Sequence, residues 1–419
     1  MATQTLANAD AILKDLYVGP IVEQLNNKTY MLDQIERDSE HIDLYGRRAI
    51  IPVHTNRNRG RGSRADGGTL PAAGRQSYQD AIVKIKGHFS GIEVTDQSIQ
   101  ASQSNEGAFI NILDSESRKC GEDLRKDINR QVFGEGTGIL AGVASTVEGT
   151  KEIPVTSVQY IYVGDPIDIV KKSDGTVGEG VENREVTKRV GGSTKKITIS
   201  GANATKVTTE YGVYLNGSYG NEMDGLRNII AKERTLHEIN SSTAGNEFWN
   251  GRVQNVGESE SVLTTAGETS FEKLADEVGL SGNADVEVFL TTRGVRRRLA
   301  DTYQSQKRFN DAQAVNVHGG YSAIMVNEIP VIADDDAPRT YAFGLNKESF
   351  RWFQLSSPGW MQQGGSGIFF LKDGSTAGTK VATWQAFFSW YAALGCVAPN
   401  RNGVLKFCED DVPTGEGEV

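Results

Sequence analysis

Two stretches flanking a long polar run decide how this chain is read: Arg48-Ala-Ile-Ile-Pro-Val-His54 and Tyr78-Gln-Asp-Ala-Ile-Val-Lys-Ile-Lys-Gly-His-Phe89. The first is β-branched and apolar, with Pro52 marking an exposed edge. In the second, Val83, Ile85 and Phe89 alternate with Lys84, Lys86 and His88, the period of two of a half-buried strand. The run between them, residues 56–77, is polar and carries Gly60, Gly62, Gly67, Gly68 and Gly74. The pattern predicts a β-arm with a tip of roughly twenty residues, and tips that long are functional or disordered. A two-stranded arm has little core of its own. It is therefore expected to lie on a second surface, and a neighbouring subunit would supply one.

Working outward, residues 108–133 read as a long helix, with Phe109, Leu113, Cys120, Leu124 and Ile128 on one stripe. Asn105 can cap it and Gly134 can stop it. Asp114–Arg118 and Glu122–Lys126 are the expected i,i+4 pairs on its wet side. At 1.5 Å per residue it would be roughly 39 Å long. Upstream, residues 8–17 place Ala9, Ile12, Leu13 and Leu16 on one face of a short helix. Downstream, short strands are expected at 157–163, 166–170, 186–190, 195–200 and 207–215, with turns at Asp174-Gly175 and Gly191-Gly192. They suggest a small antiparallel barrel or sandwich. Helices over 269–280 and 292–303 enclose a buried strand at 286–290, and further strands follow near 323–326, 331–333, 341–345, 350–355, 368–371 and 381–391. The class is α+β with mostly antiparallel sheet.

Composition bounds the function. The chain has 419 residues and a net charge of −10, which predicts two or three structural units. No apolar run approaches the ~20 residues of a membrane span, and residues 1–20 lack the pattern of a signal peptide. Three cysteines (Cys120, Cys396, Cys408) cannot form a disulfide framework. Charge is uneven. Residues 1–46 hold three basic and eight acidic groups, whereas 47–75 hold seven arginines against Asp66. Such a basic block is either a solvated loop or a contact with something negative. No aromatic residue separates the arginines, which argues against single-strand nucleic-acid stacking. Residues 409–419 carry five acids and no base, and read as a flexible tail.

Motifs for chemistry are not apparent. Gly134-Glu-Gly-Thr-Gly-Ile-Leu-Ala-Gly142 lacks the Gly-Lys-Ser/Thr of a phosphate loop and follows a helix, so it reads as a turn. His41, His54, His88, His237 and His318 are scattered, without zinc-ligand spacing. Asp334-Asp335-Asp336 reads as a solvated turn, and Arg296-Arg297-Arg298 as a solvated helix face. No cofactor is expected. An enzyme whose site forms only in space has no nucleophile–base or ligand spacing to support it.

The order of elements resembles the major capsid proteins of tailed double-stranded-DNA phages, a shell fold shared with encapsulins. Several stretches carry the resemblance: Asp127-Ile-Asn-Arg-Gln-Val-Phe-Gly134, Gly164-Asp-Pro-Ile-Asp168, Asp224-Gly-Leu-Arg-Asn-Ile229, Thr235-Leu-His-Glu-Ile-Asn240 with Phe248-Trp249, and Leu394-Gly-Cys-Val-Ala-Pro-Asn400. It implies an N-arm at 1–46, an extended β-loop at 47–100, a peripheral domain with its spine helix at 101–158 and a β-rich insertion at 159–223. A peripheral segment at 224–262, an axial domain at 263–345, return strands at 346–408 and the acidic tail at 409–419 complete it.

On that resemblance the chain is a structural subunit that assembles through pentamers and hexamers into an icosahedral shell around double-stranded DNA. It would be assembled in the host cytoplasm and end in the virion. The DNA would be held without sequence-specific binding. The implied partners are copies of itself, a separate scaffolding protein, a portal and a decoration protein, with no membrane. Arg57, Arg59, Arg61, Arg64 and Arg75 of the loop would contact a neighbour. Its N-arm acids Asp33, Glu36, Asp38, Glu40 and Asp43 are the candidate counter-surface. The alternatives are an encapsulin-like compartment that carries an enzyme, and an α+β enzyme.

Overall fold

The computed structural model describes residues 29, 31–33, 40–43, 48–102, 112–192, 194–304, 315–317, 321–362, 368–374 and 379–411. The helix expected at 8–17, the cap at Asn105 and the beginning of the long helix lie outside them. Strand β1 (Glu40–Asp43) precedes the arm strands β2 (Arg48–Asn56) and β3 (Ser77–Lys84). Then come β4 (Lys86–Thr95), the short helix α1 (Asp96–Ser102) and the long helix α2 (Ile112–Phe133). The expected alternation slips at Ile85: Val83 is buried as predicted, but beyond the break His88 is buried and Phe89 is 54% exposed. A one-residue offset between β3 and β4 sends the following side chains to the opposite face.

Helix α2 ends where expected, with the Gly134 N–H donating to Gln131 O at 2.8 Å. Its stripe continues through Cys120, Leu124, Ile128 and Val132. Its last turn is more enclosed than the charge pattern suggests, because Asn129, Arg130 and Gln131 are buried as well. Arg118 pairs with Glu122 at 3.5 Å, and Lys126 reaches Asp336 at 2.8 Å.

The β-rich module follows as β5 (Ile139–Gly142), β6 (Glu152–Pro154), β7 (Pro166–Lys171), β8 (Arg184–Val190), β9 (Lys196–Ile199) and β10 (Tyr211–Leu215). They form one six-stranded sheet in the order β5-β10-β7-β8-β9-β6. The sheet thus recruits strands upstream of residue 159, and residues 157–163 are turns rather than the expected strand. Its core includes Ile153, Ile161, Ile167, Ile169, Val186, Ile197 and Val213, all fully buried. Each such side chain contributes about 1.5–3 kcal/mol by leaving water. Gly175 and Gly192, both at positive φ (78° and 76°), make the two turns read from the sequence.

Helix α3 (Leu226–Ile229) leads to the tight hairpin β11 (Thr235–Leu236) and β12 (Ile239–Asn240), and then to β13 (Arg252–Asn255). Helix α4 (Glu268–Gly282), β14 (Val288–Thr291), helix α5 (Arg293–Gln304), β15 (Val315–Val317), β16 (Tyr321–Val326), β17 (Ile329–Ala333) and β18 (Tyr341–Leu345) come next. The chain closes with β19 (Phe350–Gln354), β20 (Gly359–Trp360), β21 (Phe370–Asp373), β22 (Lys380–Cys396) and β23 (Gly403–Lys406). A seven-stranded sheet runs β13-β23-β18-β14-β17-β16-β15. Most of its pairings are antiparallel, as expected, while β13/β23 and β14/β17 are parallel. Phe271, Leu274 and Val278 of α4 and Val295 and Leu299 of α5 share its core with Phe289 and Leu405. Val288, Phe289, Leu290 and Thr291 of β14 are all buried, as a strand covered on both faces requires.

The chain divides into two compact units. The smaller takes residues from 90–123 and 360–388. Within it, β21 lies antiparallel to the first part of β22, and Ile92, Cys120 and Ala386 pack with Trp360 and Phe388. The larger unit holds the arm, the β-rich module and the seven-stranded sheet. In it β19 pairs with the last part of β22, from Phe350↔Cys396 to Gln354↔Ala392, and β1 lies parallel on β19. Cys120, Cys396 and Cys408 are free and buried, as core hydrophobes should be.

Candidate assembly interface

The arm strands pair in one register from Arg48↔Lys84 to His54↔Tyr78, then slip at a bulge before Asn56. Pleating sorts their side chains. Ala49 and Val83 are buried against Phe353 and Ala393, with Ile51 and Ile85 packed beside them. On other positions Ile50 is 54% exposed and Tyr78 67%. Leu70, at the tip, is 82% exposed.

The arm is rooted by the β11–β12 hairpin. Its turn residues His237 and Glu238 are both left-handed, at φ 51° and 67°, a strained choice for residues with a Cβ. The strained turn places three contacts. His237 O accepts the Ile82 N–H at 2.8 Å, Glu238 pairs with Lys84 at 2.8 Å, and His237 Nε2 accepts the Cys396 N–H at 3.2 Å. Burial, helped by the charge of Arg234, pushes the His237 pKa down to about 3, so the ring stays a neutral acceptor. Trp249 holds the hairpin from the other side, its Nε1–H donating to Leu236 O at 3.1 Å.

At the tip, Arg57, Arg59, Arg61, Arg64 and Arg75 are all exposed. Arg64 donates to the Thr69 and Ser63 carbonyls at 2.9 and 3.0 Å. None of the five forms an ion pair among the described residues. The neck is pinched by Asn58, which accepts the Gly60 N–H at 2.7 Å and donates to Gly74 O at 3.1 Å. A Cβ at Gly60 would collide with the Ala72 and Gly74 backbone, so glycine is required by close approach.

The N-arm acids are placed differently. Asp33 sits on the helical turn at 31–33 and pairs with Arg125 of α2 at 2.5 Å. The backbone beside it is held too: the Met31 N–H donates to Asp334 at 2.9 Å and the Leu32 N–H to Asn129 at 3.0 Å. Glu40 and Asp43 stand in β1 opposite Arg351 and Gln354 in register. Glu36 and Asp38 lie outside the described residues. Asp33 is therefore occupied within the chain.

Sequence reading missed the charged cluster beneath that turn. Asp334 and Asp336 are buried, at 3% and 5% exposure, not solvated. Asp334 accepts the Met31 and Asp336 N–H groups, and Asn129 Nδ2 reaches it at 3.3 Å. Burial, with the neighbouring Asp336 charge, pushes its pKa up to about 6. Arg130 chelates Glu222 at 2.5 and 3.2 Å and reaches Asp127 at 2.8 Å. Burial alone would lower the Arg130 pKa, but the two carboxylates hold it above its ordinary value. A cluster spread over four distant segments leaves no local motif to find.

Among the described residues no group of three or more His, Cys, Asp or Glu could hold a metal ion. No described helix is long and apolar enough to cross a membrane. A cleft lined by Thr95, Asp96, Gln97, Gln100 and Ala382 offers one carboxylate. That carboxylate, Asp96, already accepts from Trp384 Nε1 at 3.0 Å and Gln100 at 2.8 Å. What the molecule presents is an exposed, cationic arm rooted firmly in a folded body.

A long helix beside an extended arm, a β-rich insertion and a mixed sheet that takes up the chain's end define a shell-protein fold. Solved structures of that fold span nearly the whole chain. The protein of the cyanophage A-1(L) capsid asymmetric unit aligns over 97% of this chain and 99% of its own, with a TM-score of 0.58 and 13% identity. The protein from the capsid of an empty GTA particle covers 97% and 98%, with a TM-score of 0.51 and 9% identity. An encapsulin of Synechococcus elongatus covers 100% of both chains at a TM-score of 0.48 and 9% identity. The chain has the fold of phage capsid proteins. By sequence, no protein-family model matches it, and no curated protein does.

Proposed function

We propose that this protein is the major capsid subunit of a tailed phage. Copies associate as pentamers and hexamers into an icosahedral shell that encloses double-stranded DNA, within the virion. The observation that carries the reading is the capsid fold over nearly the full chain, together with an exposed arm whose arginines have no acidic partner among the described residues. Exposed cations without partners suit a contact made between molecules, because opposite charges set register at such interfaces. Arg57, Arg59, Arg61, Arg64 and Arg75 would meet acids of a neighbour. Since Asp33 is held by Arg125, the remaining N-arm acids Glu36, Asp38, Glu40 and Asp43 are the candidates. A scaffolding protein, a portal and a decoration protein are the further partners of this reading, and assembly takes place in the host cytoplasm.

The test is the mass of the expressed chain by size-exclusion chromatography with light scattering, followed by analysis of the contents of any particle. Masses of five- and six-fold multiples or of closed shells support the reading. Shells that enclose protein and no nucleic acid, even when formed beside a packaging motor, would move it to a compartment.

A further inference from the structure

The start of helix α5 poses a problem of charge. Arg293, Arg296, Arg297 and Arg298 crowd the first turns of α5 (Arg293–Gln304), where the helix dipole disfavours cations. The structure resolves it with carboxylates brought from elsewhere. Asp335 takes Arg293, with contacts at 2.5 and 2.6 Å. The others come from the beginning of the acidic tail, which is held rather than flexible at residues 409–411. Glu409 pairs with Arg298 at 2.8 Å, and its backbone N–H donates to Thr264 O at 2.8 Å. Asp411 pairs with Arg297 at 3.2 Å, and its carbonyl also accepts from that guanidinium. Asp410 accepts from Thr292 Oγ1 at 3.0 Å, at the residue that precedes the helix. The approach is close enough that a Cβ on Gly294 would collide with the Asp410 carboxylate.

The side chains involved are not sealed away. Those of Arg297 and Asp411 are 46% and 47% exposed, and those of Arg298 and Glu409 37% and 36%. A row of guanidinium groups at a helix start, with Arg293, Arg297 and Arg298 each met by a carboxylate oxygen, is the arrangement a phosphate backbone would take. Here the oxygens belong to the same chain. We propose that Glu409, Asp410 and Asp411 act as an intrachain competitor that closes a polyanion-binding row formed by Arg297, Arg298 and the start of α5, the excluded ligand being a nucleic-acid phosphate backbone. The strap keeps the surface of an acidic protein from holding DNA tightly until it is displaced. The proposal stands on this geometry and does not depend on assembly into a shell.

The experiment compares the full chain with a Glu409→Gln, Asp410→Asn, Asp411→Asn variant for binding a short DNA duplex, by fluorescence anisotropy over a salt series. A control carries the same charge change at the exposed Glu179, Glu182 and Glu185, each replaced by Gln. The strap variant should bind about ten-fold tighter than both the parent and the control, with a salt slope steeper by about two for the two freed arginines. Adding Arg297→Ala and Arg298→Ala should abolish the gain. Binding no tighter than the control, or a gain that survives loss of the arginines, would overturn the proposal. If the triple variant does not fold by circular dichroism, Asp411→Asn alone carries the test. It should bind about three-fold tighter than a Glu182→Gln control, and equal binding would overturn the proposal. Failure here leaves the shell reading untouched, because no step uses assembled particles.

Discussion

Arg130 and Glu222 form a two-pronged pair at 2.5 and 3.2 Å, with side chains only 9% and 6% exposed. It ties the last turn of the long helix to the segment that leaves the β-rich module. Removing one member leaves a buried charge without its counter-ion, which costs about 3–5 kcal/mol, whereas an apolar pair of similar volume costs far less. Arg130→Met should therefore lower the free energy of urea unfolding by that amount. Arg130→Met with Glu222→Met should be less destabilised than Arg130→Met alone. A double variant weaker than the single would contradict the pairing.

Two buried groups give opposite pH responses. Asp334 titrates near 6 in the folded chain against an ordinary 3.8. Its contribution to stability is full below 3.8 and is lost as pH rises through 6, on the order of 3 kcal/mol. His237 titrates near 3 against an ordinary 6.5. Its contribution is present above 6.5 and is lost as pH falls toward 3, on the order of 5 kcal/mol. The two trends oppose each other between pH 4 and 6 in the parent. Asp334→Asn should leave a protein that loses stability with acid more steeply than the parent, and His237→Gln one that loses less. Unfolding midpoints at a series of pH values check both signs.

Gly225 packs against the end of α2, where an added Cβ would lie 2.6 Å from Val132 O and 2.7 Å from Gly134 N. Backbone cannot give way as a side chain does. Gly225→Ala should lower stability by about 1–3 kcal/mol, the usual cost of overpacking. Thermal unfolding measures it, and an unchanged midpoint would show that the segment moves freely.

Replacing Arg57, Arg59, Arg61 and Arg64 with Ala removes exposed groups without ion-pair partners among the described residues. Folding stability should stay within about 0.5 kcal/mol of the parent, as for other surface changes, while particle yield falls. Unchanged yield at matched salt would remove the loop from the assembly contact.

The arm was legible because its alternation is local: β2 and β3 form where Ile51, Val53 and Val83 predicted strands. The slip at Ile85 was not, since nothing in the residues marks which face lies inward after a one-residue offset. Charged clusters misled in both directions. Asp334 and Asp336 read as solvent-facing, yet they meet Asn129 and Lys126 from more than two hundred residues away. Arg297 and Arg298 read as a wet face, yet they are met by the tail over a hundred residues on. Such pairings are set by topology, and periodicity carries no record of them. The counter-surface for the loop arginines was the hardest to read, because a contact proposed between molecules leaves no trace in one chain's periodicity, and one candidate, Asp33, is already engaged by Arg125.

The most direct measurement of the central claim is negative-stain electron microscopy of the expressed protein, alone and with a scaffolding protein, across a salt series. The account predicts rings, tubes or closed shells built from five- and six-fold units. A protein that stays monomeric under every one of these conditions would contradict it.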